Sequence, residues 1–250
     1  MPRFAALLAG LLLLAAGFAA ADPVCIDGSH QGLDYTACRA TGGQDVRLFH
    51  TAPDGQTYGS FDRINQTLAS QGRQLVFAMN AGMYHPDRRP VGLLIEDGVE
   101  RMRLITAEGP GNFGLLPNGV FCVTGTGFAV IESRSFGRDR PACRHATQSG
   151  PMALIGGAPH PRFLADSASR YLRNGVGVTR DGGTAVFVIT RDRVNFAEFA
   201  AILRDGLGLW DALYFDGNVS RLHAPDLGRD DFGFPMGPVV GLVGPLDPQG

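Results

Sequence analysis

A chain of 250 residues with a formal charge of −2 suits one large domain or two small ones, and its apolar and charged fractions are those of a globular protein. All 22 basic residues other than His are Arg, so the absence of Lys excludes a Lys Schiff base, a Walker-type phosphate loop and a Ser-Lys dyad. No basic stripe is interleaved with aromatics, which argues against nucleic acid as a partner.

Met1-Pro2-Arg3 gives a positive start, residues 5–18 are almost wholly Ala, Leu and Gly, and Ala19-Ala20-Ala21 offers small residues for cleavage. Residues 1–21 therefore predict a secretory signal peptide, with an uncleaved anchor as the alternative, and place the mature chain in the periplasm or outside the cell. No other stretch is apolar and long enough to span a bilayer. Strands are expected over 34–39 and 45–50, then a helix over 61–71 capped by Ser60 and ended by Gly72. Strands follow over 73–79 and 91–96, the second turning at Asp97-Gly98 into 98–105. Residues 118–132 and 174–190 read as hairpins around Gly125-Thr126-Gly127 and Asp181-Gly182-Gly183, with a short strand over 151–155 between them. Asn195 caps a helix whose Phe196, Phe199, Ala200 and Leu203 share a face, and strands over 210–215 and 236–243 complete the chain. The sum is α+β: a mixed, mostly antiparallel sheet built from hairpins, with a few packed helices. One domain is expected over 22–243, with a loose tail over 244–250.

Four cysteines in an exported chain imply two disulfides, for which three pairings exist. The two most local, Cys25–Cys38 and Cys122–Cys143, are favoured; Cys122, between Phe121 and Val123, also reads as a plain core residue. No C-x-x-C, H-E-x-x-H or H-x-H spacing occurs, so neither a metal nor a cofactor is called for.

Chemistry is suggested at strand ends, where small polar clusters stand beside Gly. These are Asn80-Ala81-Gly82, Gln148-Ser149-Gly150-Pro151, Arg173-Asn174-Gly175 and Asp216-Gly217-Asn218. Gly admits close backbone approach, and four converging edges would form a polar pocket; four ordinary turns would look the same. Asp216 follows Leu213-Tyr214-Phe215, so its carboxyl is expected half-buried at a strand end, where a raised pKa would suit acid–base work. Glu198 lies in the first turn of a helix and also reads as a plain N-terminal acid. "GPGNFGLLPNG" is a weak phosphate-loop candidate, lacking a following helix.

Together, "MNAGMY" at 79–84, "QSGP" at 148–151, "RNGVGV" at 173–178, "VNFAEFA" at 194–200 and "LYFDGNVS" at 213–220 resemble the phosphodiester glycosidase family, in particular its exported bacterial branch. The likeness runs from about residue 45 to residue 243. It implies an α+β catalytic domain that cleaves a glycosyl bond to phosphate in a sugar phosphodiester. It matches Asn80 and Gly82 to the family's Asn-Gly element, Arg173 to an Arg before a Gly-bearing strand, Glu198 to a helix Glu, and Asp216 and Gly217 to an Asp-Gly-Gly element. The chain departs from that pattern at Asn218, where the family has a second Gly, and in reducing a Ser-rich segment to Ser220.

On this reading Asp216 works at the anomeric centre or on its attacking water, Glu198 assists, and Arg173 pairs with the phosphate. Asn80, Gly82, Tyr84, Gln148, Ser149, Gly150, Asn174, Gly217, Asn218 and Ser220 complete the substrate site, with Met83 and Tyr84 as an apolar bed for the sugar ring. Two alternatives remain open: a binder of cell-envelope glycan or glycolipid, and a metal-dependent phosphodiesterase using Asp216, Asp230 and Asp231.

Overall fold

A computed structural model describes residues 23–247, so the expected signal peptide and residues 248–250 of the expected tail lie outside the described residues. The strands in chain order are β1 (Cys25–His30), β2 (Leu33–Thr41), β3 (Val46–Phe49), β4 (Arg73–Asn80), β5 (Leu94–Glu96), β6 (Val99–Met102), β7 (Gly119–Val123), β8 (Phe128–Glu132) and β9 (His145–Ser149). They continue as β10 (Met152–Ile155), β11 (Ala158–Pro159), β12 (Asn174–Val178), β13 (Thr184–Thr190), β14 (Asp211–Asp216), β15 (Leu222–Ala224), β16 (Arg229–Asp230) and β17 (Val239–Pro245). Among the described residues three α-helices punctuate them: α1 (Phe61–Ala69), α2 (Ser133–Asp139) and α3 (Phe196–Ala201), the last running on into a π-helical turn over Ile202–Gly206.

These strands form three sheets, ordered β1-β2-β13-β12-β14-β10-β11, β16-β15-β4-β17-β3 and β6-β5-β9-β7-β8. The fold is α+β and mainly sheet, as expected. The expected mixed sheet is corrected in one respect: every pairing between these strands is antiparallel. The sheets meet at three buried rings, one from each. Phe187 of β13 lies 5.2 Å from Phe77 of β4 and 5.5 Å from Phe121 of β7, centroid to centroid. Such tilted and edge-on contacts suit the ring quadrupoles as well as burying area. Each helix covers one sheet's outer face, α1 through Ile64 and Leu68, α2 through Phe136, and α3 through Phe199 and Ala200.

Local chemistry explains most boundaries. Ser60 caps α1 by accepting from the Arg63 amide, and Asn195 and Glu198 close a reciprocal capping box on α3. The strand expected from Val91 begins only at Leu94. The Val91 amide is spent on the Met83 carbonyl and the Leu93 amide on the Gln148 side chain. The strand expected to residue 105 stops at Met102. Helix α2 was not anticipated; it starts because the Glu132 carboxylate accepts from the Arg134 and Ser135 amides, and it ends at left-handed Arg140. Strand β17 runs to Pro245, and the Leu246 amide bonds to the Gly72 carbonyl, so the first residues expected to be loose tail are tied down.

Both favoured disulfides are present. Cys25–Cys38 joins directly opposed positions of β1 and β2, and Cys122–Cys143 ties β7 to the segment entering β9. Among the described residues no cysteine is free.

Candidate functional site

The site lies where strand ends of different sheets meet. Asn80 is the last residue of β4 and Asn174 the first of β12, and both are fully buried. The Asn174 side-chain amide donates to Asn80 Oδ1, which also accepts the Arg221 amide at 3.0 Å. Asn174 Oδ1 in turn accepts the Asp216 amide at 3.0 Å. Two short amide side chains thus fix the backbone that carries Asp216, joining the seven-stranded sheet to the sheet around β4. One donor in this relay, Asn80 Nδ2, is buried with no hydrogen-bond partner.

Asp216 ends β14 half-buried. Its Oδ1 accepts the amides of Gly217 at 2.6 Å and Asn218 at 2.8 Å. Burial pushes the carboxyl pKa up, and these amide donors offset only part of that rise. Asn218 serves here through its backbone N–H, a role open to any residue but Pro, which explains how the position tolerates Asn in place of Gly.

A cavity of about 500 Å³ opens over Asp216, walled by Met83, Tyr84, Val91, Gly111, Asn112, Ser169, Tyr171, Tyr214, Gly217 and Asn218. Tyr214 precedes Asp216 by two positions and so shares its face of the strand. A methyl group on Gly217 would sit 2.5 Å from the Tyr214 hydroxyl, which places that hydroxyl under the Asp216–Gly217 turn. Burial drives the Tyr214 pKa well above its ordinary value, so the phenol stays a donor. Burial, then the Asp216 charge, pushes Tyr84 the same way.

Arg173 stands behind this wall. It is 1% exposed, donates from Nε to the Val194 carbonyl and from Nη2 to the Ser169 carbonyl, both at 2.9 Å, and lies 3.6 Å from the Phe196 ring centroid. Tyr214 and Tyr171, both of the cavity wall, are its other ring neighbours at 5.3 and 5.6 Å. Nη1 is buried without a hydrogen-bond partner, and among the described residues no carboxylate lies within ion-pair distance. Burial lowers its pKa, yet a guanidinium keeps its charge in proteins.

The other expected residues have structural duties. Gln148 Oε1 accepts the Leu93 and Ile105 amides and Nε2 donates to the Ile105 carbonyl, so this side chain stitches the 93–105 segment in place. Ser149 Oγ donates to the Phe215 carbonyl at 2.9 Å, beside Asp216. Gly150 precedes a cis proline and packs on Asn118 and Phe113. Gly82 meets a carbonyl of its own chain: a methyl there would lie 2.3 Å from the Gln148 oxygen. Glu198 closes the α3 capping box and pairs with Arg170 at 2.8 Å. Ser220 Oγ bonds the Leu172 carbonyl. Asp230 and Asp231 are engaged by His223 and Arg229 and line other clefts, so they are not gathered with Asp216.

Sequence reasoning missed the walls supplied by loops, namely Val91, Gly111, Asn112, Ser169 and Tyr171. Asn112 falls inside the Gly-rich segment set aside as a weak phosphate loop. Tyr214 was also missed, read only as part of the apolar run before Asp216; its two-residue offset from Asp216 is the signal that could have found it.

The family model for phosphodiester glycosidases matches residues 73–224, which hold Asn80, Arg173, Asn174 and Asp216. This chain belongs to the phosphodiester glycosidase family. Among curated proteins it is similar to the uncharacterized protein YigE of Escherichia coli (strain K12), at 34% identity over 178 residues, 71% of this chain and 69% of that one. Among solved structures it is similar to the zebrafish N-acetylglucosamine-1-phosphodiester alpha-N-acetylglucosaminidase catalytic domain auto-inhibited by its pro-peptide. There the TM-score is 0.60 at 14% identity, with 90% of this chain and 85% of that one covered, a likeness of fold.

Proposed function

We propose that this phosphodiester glycosidase is an exported hydrolase that cleaves the glycosyl bond to phosphate in a sugar phosphodiester. The observation that carries the reading is Asp216: a half-buried carboxyl of raised pKa, braced by two amides, at the floor of a cavity with a sugar-sized tyrosine lining. Water attacks the anomeric carbon, the bond from that carbon to the phosphate oxygen breaks, and phosphomonoester leaves. Asp216 takes the proton of the attacking water. The phosphomonoester is already a good leaving group, so one essential carboxyl suffices, and Glu198, held in its capping box, is a supporting residue.

Phosphate recognition in this scheme is indirect. Arg173 is an uncompensated cation behind Tyr171 and Tyr214, and a buried charge without a partner is costly. A phosphodiester anion in the cavity supplies the missing negative charge, with the tyrosine hydroxyls as its direct donors. Two disulfides support export to an oxidising compartment. Among the described residues no helix is long and apolar enough to cross a membrane.

The test is product analysis on a panel of sugar-1-phosphodiesters. Free sugar plus phosphomonoester is expected, and Asp216→Asn should abolish it. Sugar phosphate plus alcohol would instead identify a phosphodiesterase, and binding without turnover a glycan binder.

A further inference from the structure

Phe232 and Phe234 are 95% and 85% exposed, on a loop of four residues between Asp231 and Met236. Large apolar side chains so bare are rare on a folded surface unless something covers them. This loop is also braced against collapse. At one end the Asp231 carboxylate accepts the Leu222 amide at 2.9 Å, and the Asp231 amide donates to the Leu222 carbonyl. At the other, Met236 is buried and its amide donates to the Gly59 carbonyl. In the middle, Arg221 Nη1 donates to the Phe234 carbonyl at 2.6 Å. Its guanidinium lies so close to Gly233 that a methyl group there would fall 2.4 Å from Nη2. The chain therefore holds two phenyl rings out in water, with a cation at their root.

The loop adjoins the candidate site. One residue beyond Met236, Gly237 packs on the ring of Tyr84, a wall of the cavity, and Arg88 stands over that same ring at 5.8 Å. Arg88 and Arg221 donate to backbone carbonyls, and among the described residues neither has a carboxylate within 4.0 Å. Of the nearby acids, Asp87 pairs with Arg89 and Asp231 with Arg229, while Asp230, hydrogen-bonded to His223, and Asp62 line the cleft beside Arg221 and Phe232. The rim thus combines two Arg side chains that touch no carboxylate with two bare aromatic rings.

We propose that this loop docks the protein on an anionic lipid bilayer, Phe232 and Phe234 entering the interface while Arg221 and Arg88 face lipid phosphates. Aromatic rings favour the headgroup boundary, and Arg beside them draws on the negative surface potential. Docked this way, the protein holds the mouth of its cavity close to the membrane surface.

Vesicle flotation of the mature chain tests the idea without any turnover. Binding is expected to mixed phosphatidylcholine–phosphatidylglycerol vesicles, weakening at high salt and on pure phosphatidylcholine. The double variant Phe232→Ser/Phe234→Ser should lose roughly a hundredfold in partitioning, about tenfold per half-buried ring, with an unchanged melting curve. Asp216→Asn should float like wild type, so the outcome is separate from that of the glycosidase reading. Wild-type protein that stays off anionic vesicles, or a double variant that floats equally well, overturns the proposal. So does concentration-dependent self-association lost in the variant without vesicle binding, which would make the loop a contact between copies of this chain.

Discussion

Replacing Gly82 by Ala tests how tightly the strand ends around the site are pressed together. The added methyl carbon would lie 2.3 Å from the Gln148 carbonyl oxygen and 2.6 Å from Thr147 Oγ1. An ordinary carbon–oxygen contact is roughly 1 Å longer, so one partner must retreat. Neither does so easily. Gln148 lies inside β9, opposite Val120 of β7, its amide is bonded to the Leu93 carbonyl, and its side chain holds Ile105. Gly82 follows Asn80 by two residues, and the Ala81 amide is bonded to the Pro238 carbonyl. Overpacking against backbone costs about 3 kcal/mol, the upper end of the usual range. Two controls separate this from other costs of losing a glycine. Gly125→Ala meets nothing within 4 Å and should change stability by less than about 0.5 kcal/mol. Gly43→Ala has open space but a φ of +86°, so it should cost about 1 kcal/mol through backbone conformation alone. Urea unfolding at constant m-value gives all three. A Gly82→Ala midpoint within error of Gly125→Ala would refute the close approach, and with it the reason given for glycine there.

Further outcomes follow from the same structure. Burial lowers the His145 pKa from 6.5 to about 4 despite the Asp97 carboxylate nearby. The unfolded chain takes up this proton first as pH falls, so stability is full above pH 6.5 and declines towards pH 4 by up to about 3 kcal/mol. Unfolding across that window should flatten in His145→Phe. The raised Asp216 pKa should put the acidic limb of kcat/KM above the range of an ordinary Asp, since the unprotonated form acts as the base. Arg173→Lys should lower stability by about 2 kcal/mol and raise KM for a phosphodiester. An ammonium cannot stack on Phe196 while serving both the Val194 and Ser169 carbonyls. Cys122→Ala/Cys143→Ala should cost about 3 kcal/mol by freeing a 21-residue separation, and non-reducing peptide mapping should find neither thiol alkylatable in wild type.

What could be read from the sequence was what short-range chemistry controls. The hairpins at 118–132 and 174–190, the caps Ser60 and Asn195, and the position of Asp216 at a strand end all rest on signals within a few residues. Strand β9 escaped notice because His145–Ser149 is polar in composition; it is a strand by virtue of lying between β5 and β7, where Gln148 finds acceptors and donors 43 to 55 residues away. The same distance effect decided Arg173. Its residue type signals a phosphate partner, but the rings that enclose it come from 171, 196 and 214, and no local pattern shows them closing over the guanidinium. Asn80 and Asn174 were both singled out, yet their direct bond spans 94 residues and belongs to the tertiary fold.

The position of β17 bears on synthesis. This strand comes from the end of the described chain but sits inside its sheet, between β4 and β3, and among the described strands it is the one that pairs with β3. A nascent polypeptide that stops before residue 239 therefore leaves β3 unpaired and one whole edge of β4 bare, an exposed template for aggregation. It also lacks Val239, the residue opposite Asn80, so the first amide of the relay to Asp216 is unsupported. Folding to a competent site has to wait until β17 has been made, and a product terminated before it is marked for proteolysis by its own open sheet.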